Sequence, residues 1–590
     1  MRWNARTRIT IASGFLGLVF TAFSARLIDI SVARHDEYSA IAAQKNSTRK
    51  TLFARRGLIY DRNGEILADN APIRTVVADC SHIEHPERVA EIAAKYLKTD
   101  VDTLTKKLSS GGKYVVLERG LPAEDAFEFG SALEDAKLRG IDFLPDFQRV
   151  HPNGSMLSHV MGFLDHERTG VQGVEAAMDD YLKGEDGFRY SEHDRTGREI
   201  VIYRGQEHDP RDGNNVTLTI DMGLQSIVEE ELDAAVKEFK PQTAVAIMAN
   251  PKTGEILAMA SRPNFEPDKI GDAKPEEMKN HAVIDMFEPG STFKIVVASA
   301  ALNEGLINTE TRINCENGRF AYGGKILKDH GSGYGMIPVH DILMHSSNIG
   351  SAKLGLMEGA QTFYEYVKRF GFGERTGIEL PGEIPGLVHP PARWDNLTIT
   401  RMPMGQAVAV TPLQTVMAMS VIANGGKLMA PHLIKSLSDG DGKIIKEYQP
   451  TVVRDVISPE TASIVSNALA DVVSVNGTAV KASVPGFRVC GKTGTAQIPM
   501  PGGGYYENRH LASFIGYMPA ENPAFVCLVM IQDPKVGPEM YYGGLVAAPV
   551  FSRISQRAAR YLDLQPTLKF EPVTEVVSNR KTEKMDAADQ

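Results

Sequence analysis

The alternation of apolar and polar residues changes character several times along the chain, and each change marks an element. Residues Ile9 to Ala25 carry no charge and are bracketed by Arg8 and Arg26. That run of about 17 falls slightly short of the roughly 20 residues a membrane span needs, but Leu27, Ile28, Ile30 and Val32 continue its apolar side and the flanking arginines can snorkel. Arg2, Arg6 and Arg8 ahead of the run place the N-terminus on the cytoplasmic side and everything after it outside. The competing reading is a signal peptide cleaved near Ala22-Phe23-Ser24. A helical pattern that runs on past Arg26 favours an anchor that is kept.

Beyond a basic, polar stretch around Arg49-Lys50 and Arg55-Arg56, apolar residues alternate on both sides of Asn63-Gly64 and predict a hairpin with a primed turn. Residues 83 to 145 mix a helical run, Arg88 to Leu97, with a short strand, Tyr114 to Leu117. Two Gly- and Pro-punctuated stretches follow, Arg149 to Gly154 and Gly170 to Glu175, which read as turns and a buried charge pair.

From Asn215 the texture becomes that of a second domain. Val216 to Ile220 reads as a strand, and Asp221 is placed to cap a helix from Leu224 to Phe239. Thr243 to Met248 and Glu255 to Met259 are strands joined by the turn Asn250 to Gly254. The segment Asp285 to Gly305 then breaks the strand pattern. Pro289-Gly290 punctuates, and the apolar, alanine-rich run from Ile295 to Leu302, stopped by Gly305, predicts a buried helix opening near Ser291. Val339 to His345 and Ile349 to Met357 predict two more helices meeting at Ser346-Ser347-Asn348. Phe487 to Gln497, Phe514 to Tyr517 and Phe525 to Ile531 predict strands, with the glycine loop Gly502 to Gly504 among them.

At 590 residues the chain exceeds one core and two or three domains are expected. Its net charge of -10 gives no reason to expect a nucleic-acid partner. Cys80, Cys315, Cys490 and Cys527 are scattered without metal-ligand spacing, and the 15 histidines form no H-E-x-x-H, so neither a metal nor another cofactor is expected.

The chemistry concentrates at the Ser291 helix. Residues three apart share a helix face, so the Ser291 hydroxyl and the Lys294 amine can meet. A lysine activates a serine only when neutral, which requires its pKa to fall from about 10.4 to roughly 7. Burial and the positive end of the helix dipole both act in that direction. The bare Ser-x-x-Lys spacing recurs at Ser47 and Lys50, Ser110 and Lys113, and Ser578 and Lys581, all in polar stretches. Ser346 and Asn348 at a helix junction could be an ordinary cap. Lys492-Thr493-Gly494 has its own double, Lys252-Thr253-Gly254, at a turn. Order and context distinguish the three motifs that matter.

Ser-x-x-Lys at Ser291, Ser-x-Asn at Ser346 and Lys-Thr-Gly at Lys492 form a signature set of penicillin-binding proteins and serine β-lactamases. With GLIYDRNGEILA, GVQGVE, VTLTIDMGLQ to PKTGEILAMA, TGIELPGE and MGQAVAVTPLQ, nearly the whole chain from about residue 50 to 560 resembles a class B penicillin-binding protein. NHAVIDMFEPGSTFK, with Glu288 before Pro-Gly, is similar to the division-specific FtsI type; the elongation branch would carry a second proline there. HPNG stands where the pedestal more usually has tyrosine-proline-x-glycine.

The resemblance implies an α/β (α+β) transpeptidase fold, an antiparallel sheet with flanking helices, an elongated α+β N-terminal pedestal and one transmembrane helix. The expected limits are residues 1–8 for a cytoplasmic tip, 9–25 for the span, 26–215 for the pedestal (a dimerisation-type domain), 216–562 for the transpeptidase and 563–590 for a polar tail, disordered from Ser578. It implies a peptidoglycan D,D-transpeptidase acting on stem peptides that end in D-Ala-D-Ala, and a target of β-lactams. Ser291 would be the nucleophile, Lys294 its base, Ser346 a proton relay and Asn348 a holder of the substrate amide. Lys492 would supply positive charge, Thr493 and Thr495 would bind the terminal carboxylate beside Gly494, and the Ser291 and Thr495 amides would form an oxyanion hole. Implied partners are an FtsW-type glycosyltransferase and other division proteins at the inner membrane. A non-catalytic sensor or scaffold is the alternative from another class. A bifunctional synthase is disfavoured because no paired acidic glycosyltransferase motif precedes residue 215.

Overall fold

The computed structural model describes residues 4–38, 47–112, 115–193, 199–202, 207–331, 333–537 and 540–568. Lys113, the Ser578–Lys581 pair and most of the expected tail lie outside the described residues. The N-terminal helix runs Ala5–Ile28, longer at both ends than the uncharged run, because Asn4 caps it through the Arg6 amide at 3.2 Å. It continues as a π-helical turn, Asp29–Ala33, where Asp29 binds both Arg26 and Arg34. By length and composition this helix can cross a membrane, and none of its residues is buried.

The expected hairpin forms between Ile59–Tyr60 and the long strand Ile66–Ala78, but its turn is not primed. Only Gly64 has a positive φ, 92°, and Asn63 does not. The Asp61 carboxylate accepts from the amides of Asn63 and Glu65, which closes a wider loop. An aspartate that binds its own following backbone replaces the two left-handed residues a primed turn needs.

Two sheets organise the rest. One runs Ile444–Glu447, Ile434–Ser438, Asn215–Leu218, Ile59–Tyr60, Ile66–Ala78 and Val115–Pro122, with Ile141–Val150 also on Ile66–Ala78. It therefore joins strands from before residue 215 to strands after residue 430. The second sheet is five-stranded and wholly antiparallel, in the order Ile256–Arg262, Thr243–Ala249, Phe525–Gln532, Tyr505–Met518, Cys490–Pro499. Thr243–Ala249 and Ile256–Arg262 are buried at every position because helices cover both faces of the sheet. Helices Met222–Phe239 and Gly543–Tyr561 pack against one another and against this sheet, while Pro412–Ala423 packs on Thr243–Ala249 and Phe525–Gln532. Asp221 caps the first of these through the Leu224 amide, as its position predicts.

Buried ions join the first part of the chain together. Glu175 receives Arg56 at 2.6 Å and Arg149 at 2.7 Å, and Arg56 also reaches Asp179 at 2.7 Å. His151, in the HPNG turn, donates its backbone amide to Asp268 at 2.9 Å and lies 2.7 Å from the same carboxylate through Nδ1. The four cysteines are all free and buried.

Candidate active site

The alanine-rich segment does fold as a buried helix, Lys294–Asn303, but a 3₁₀ turn, Gly290–Phe293, precedes it and carries Ser291. Two features hold this turn. Thr292 donates to the Pro289 carbonyl at 2.8 Å, and Gly290, at φ 56°, donates its amide to Gly405 at 3.2 Å. A side chain at Gly290 would stand 3.1 Å from the Thr495 carbonyl oxygen, and one at Gly494 would stand 3.1 Å from the Pro289 carbonyl. Glycine at both positions lets the Lys492 strand lie directly against the Ser291 turn.

Lys294 is fully buried, and its amine lies 2.5 Å from the Ser346 carbonyl oxygen, 3.1 Å from the Ser346 hydroxyl and 2.8 Å from Asn348 Oδ1. The Ser291 hydroxyl makes no hydrogen bond among the described residues, so the pair three apart is not joined directly. Burial, followed by the nearby charge of Lys492, holds Lys294 well below the usual lysine range, and Asp329 opposes them. Lys492 is also fully buried; burial alone lowers it to about 7. The two amines thus differ in what surrounds them: Lys492 and Asp329 both act on Lys294, while burial alone acts on Lys492.

Ser346 sits at φ 60°, a left-handed conformation that a serine adopts at a cost. The cap of helix Asn348–Glu358 is neither Ser346 nor Asn348. It is Ser347, whose hydroxyl accepts from the Gly350 amide at 2.9 Å. Capping by the middle residue leaves its neighbours' side chains for Lys294. Asn348 is fixed further by donating Nδ2 to the Lys328 carbonyl at 3.0 Å.

On the facing strand, Cys490–Pro499, Thr493 shares a hydrogen bond of 3.1 Å with Thr478, and Thr495 accepts from the Gly543 amide at 3.1 Å. Sequence reasoning missed Thr478, in the turn after helix Pro459–Asp471, and Asp329, which binds Ser347, Asn348 and Ile349. Neither belongs to a motif, and no local pattern marks them. Glu288 is tied in as well. It accepts from the Tyr505 hydroxyl at 2.9 Å and the Ala407 amide at 3.0 Å, and burial raises its pKa.

Residues 244–556 match the penicillin-binding protein transpeptidase domain, and residues 51–218 match the penicillin-binding protein dimerisation domain. Stage V sporulation protein D of Bacillus subtilis is 35% identical over 95% of this chain and 87% of its own length. The peptidoglycan D,D-transpeptidase FtsI of Escherichia coli is 31% identical over 87% of this chain and 84% of its own. Among solved structures, penicillin-binding protein 3 of Mycobacterium tuberculosis in complex with aztreonam superposes with a TM-score of 0.68 at 28% identity, covering 88% of this chain and 98% of that one. The order of the domains, the buried amine beside the serine turn and these likenesses lead to one conclusion: the chain belongs to the class B penicillin-binding proteins and is a serine-type peptidoglycan D,D-transpeptidase.

Proposed function

We propose that the protein cross-links stem peptides during septal wall synthesis, with Ser291 as its nucleophile. The observation that carries the chemistry is the Lys294 amine: buried, held well below the usual lysine range, and bonded to Ser346 and Asn348 one helical turn from Ser291. Ser291 Oγ attacks the carbonyl carbon between the two terminal D-alanines, and its proton passes to Lys294 Nζ. The tetrahedral oxyanion is received by the Ser291 and Thr495 amides, each donor worth about 2.7–4 kcal/mol. The Thr495 backbone lying against Gly290, next to Ser291, supports this pairing. The C–N bond then breaks, and the terminal D-alanine leaves with a proton delivered through Ser346. An amine from a second stem peptide attacks the acyl ester, forms the cross-link and frees Ser291.

Asn348 orients the substrate amide. Lys492, Thr493 and Thr495 bind the terminal carboxylate, for which a cation and two hydroxyls on one strand are the fitting chemistry. β-Lactams acylate Ser291 because they carry the same carboxylate and a strained amide in the same relation. Glu288 before Pro-Gly favours the septal role over elongation. The helix Ala5–Ile28 anchors the chain with its N-terminus cytoplasmic and both folded parts outside the inner membrane. An FtsW-type glycosyltransferase and other division proteins are the partners this placement fits. The working limits are 1–8, 9–25, 26–215, 216–562 and 563–590.

The test is a chromosomal Ser291→Ala allele in a strain with a removable wild-type copy. The wild-type protein is expected to take up fluorescent penicillin and the variant none. On loss of the wild-type copy the cells are expected to grow into filaments without septa. Absence of label on wild type discards the catalytic reading, and rounded cells in place of filaments discard the septal one.

A further inference from the structure

Asp329 lies in the loop after strand Lys325–Lys328, outside every motif of the site. Its Oδ1 accepts from the backbone amides of Asn348 at 2.6 Å and Ile349 at 3.0 Å. The Ser347 hydroxyl donates to both its oxygens, at 3.1 and 2.9 Å. One carboxylate therefore fastens three consecutive residues, at the end of a helix where free amides and the dipole favour an anion. The same three residues adjoin or include two of the groups that bind the Lys294 amine, Ser346 and Asn348.

We propose that Asp329 is a positioning residue for acyl transfer: it fixes Ser346 and Asn348 around Lys294 and places a negative charge beside them. The proposal rests on the reading of Ser291 as nucleophile and Lys294 as its base.

The charges facing Lys294 come from different elements. Lys492 stands on the facing strand, and Asp329 on the loop beside helix Asn348–Glu358, with His330 next to it sensing both lysines. Glu304 and Glu358 lie near Ala301 and one another at the far end of helix Lys294–Asn303. Burial and Lys492 drive the Lys294 proton off, and Asp329 draws it back. Asp329 thereby gives Lys294 a greater hold on the proton it takes from Ser291, and in exchange moves the acid limb of the reaction upward.

Asp329→Asn separates the two roles, because an asparagine oxygen can still accept from both amides while the charge is gone. The experiment measures the second-order rate constant for acylation of the full-length protein in detergent by fluorescent penicillin, from pH 4 to 9. In Asp329→Asn the acid limb is expected to move to lower pH, a change that loss of packing alone would not produce. In Asp329→Ala, which also loses the backbone bonds, the rate is expected to fall about 100-fold across the range, the scale of a misplacement near 1 Å. Asp329→Glu, which restores the charge, is expected to bring the limb back toward its wild-type position. A folded Asp329→Asn protein whose limb stays in place overturns the proposal. Should that variant not fold, Ser347→Ala carries the test: a lower rate with the limb unmoved is expected, and a wild-type rate overturns it. A wild-type protein that takes no label would instead remove the assignment of Ser291 and Lys294 on which the proposal stands.

Discussion

Two lysines decide what this site can do, and burial treats them unequally. Desolvation, then the neighbouring charge of Lys492, pushes Lys294 well below the usual lysine range, while burial lowers Lys492 to about 7. On the proposed reading, Lys492 below that value is a cation for a ligand carboxylate, and above it the attraction fades. Acylation by benzylpenicillin, followed as a second-order rate constant, is therefore expected to fall as pH rises through about 7. An analogue with its carboxylate esterified is expected to lack that alkaline fall; equal profiles for the two would remove Lys492 from carboxylate recognition. That Lys294, Ser346 and Asn348 belong together was legible in the sequence, because Ser-x-x-Lys followed by Ser-x-Asn and Lys-Thr-Gly is a chemical order. The bonding between them was not. Spacing alone pairs Ser291 with Lys294, whereas the fold gives Lys294 to Ser346 and Asn348.

Most elements also follow from pattern, and the misreadings share a cause. The Asp61 loop and the capping role of Ser347 each depend on which side chain turns back onto an amide two to four residues on, and the 3₁₀ turn at Gly290–Phe293 on a glycine meeting Gly405 far along the chain; no periodicity records either. Asp329 likewise acts outside any local period, since its partners are 18 to 20 residues away. Helix Asn348–Glu358 illustrates a different tension. Its last residue, Glu358, is buried, and burial together with the Glu304 carboxylate raises its pKa to about 9, relieved only in part by the Ala301 backbone. A carboxyl raised in the folded state keeps a proton that the unfolded chain has lost, so its contribution is complete below the ordinary value of 4.5 and disappears as pH climbs through about 9. Glu358→Gln is expected to raise the melting temperature by a few degrees at pH 8 and to leave it nearly unchanged at pH 4. A variant whose melting temperature shows the wild-type pH dependence would mean that Glu358 is not protonated in the folded protein.

At the scale of the whole molecule, the change of texture near residue 215 is bridged by main-chain pairing. Strand Asn215–Leu218 pairs in parallel with Ile59–Tyr60 on one side and antiparallel with Ile434–Ser438 on the other. Main-chain hydrogen bonds thus cross the boundary that the change of texture suggests. The parallel pair was illegible because its strands lie more than 150 residues apart and one of them is two residues long. Cut away from residues before 216, the catalytic half would keep Val216–Leu218 but present it as a raw ribbon of amides and carbonyls to other molecules. Such a fragment is expected to self-associate, with light scattering that grows with concentration, while a chain beginning near residue 51 stays dispersed. Solubility, on this view, is a service the front of the protein performs for the back.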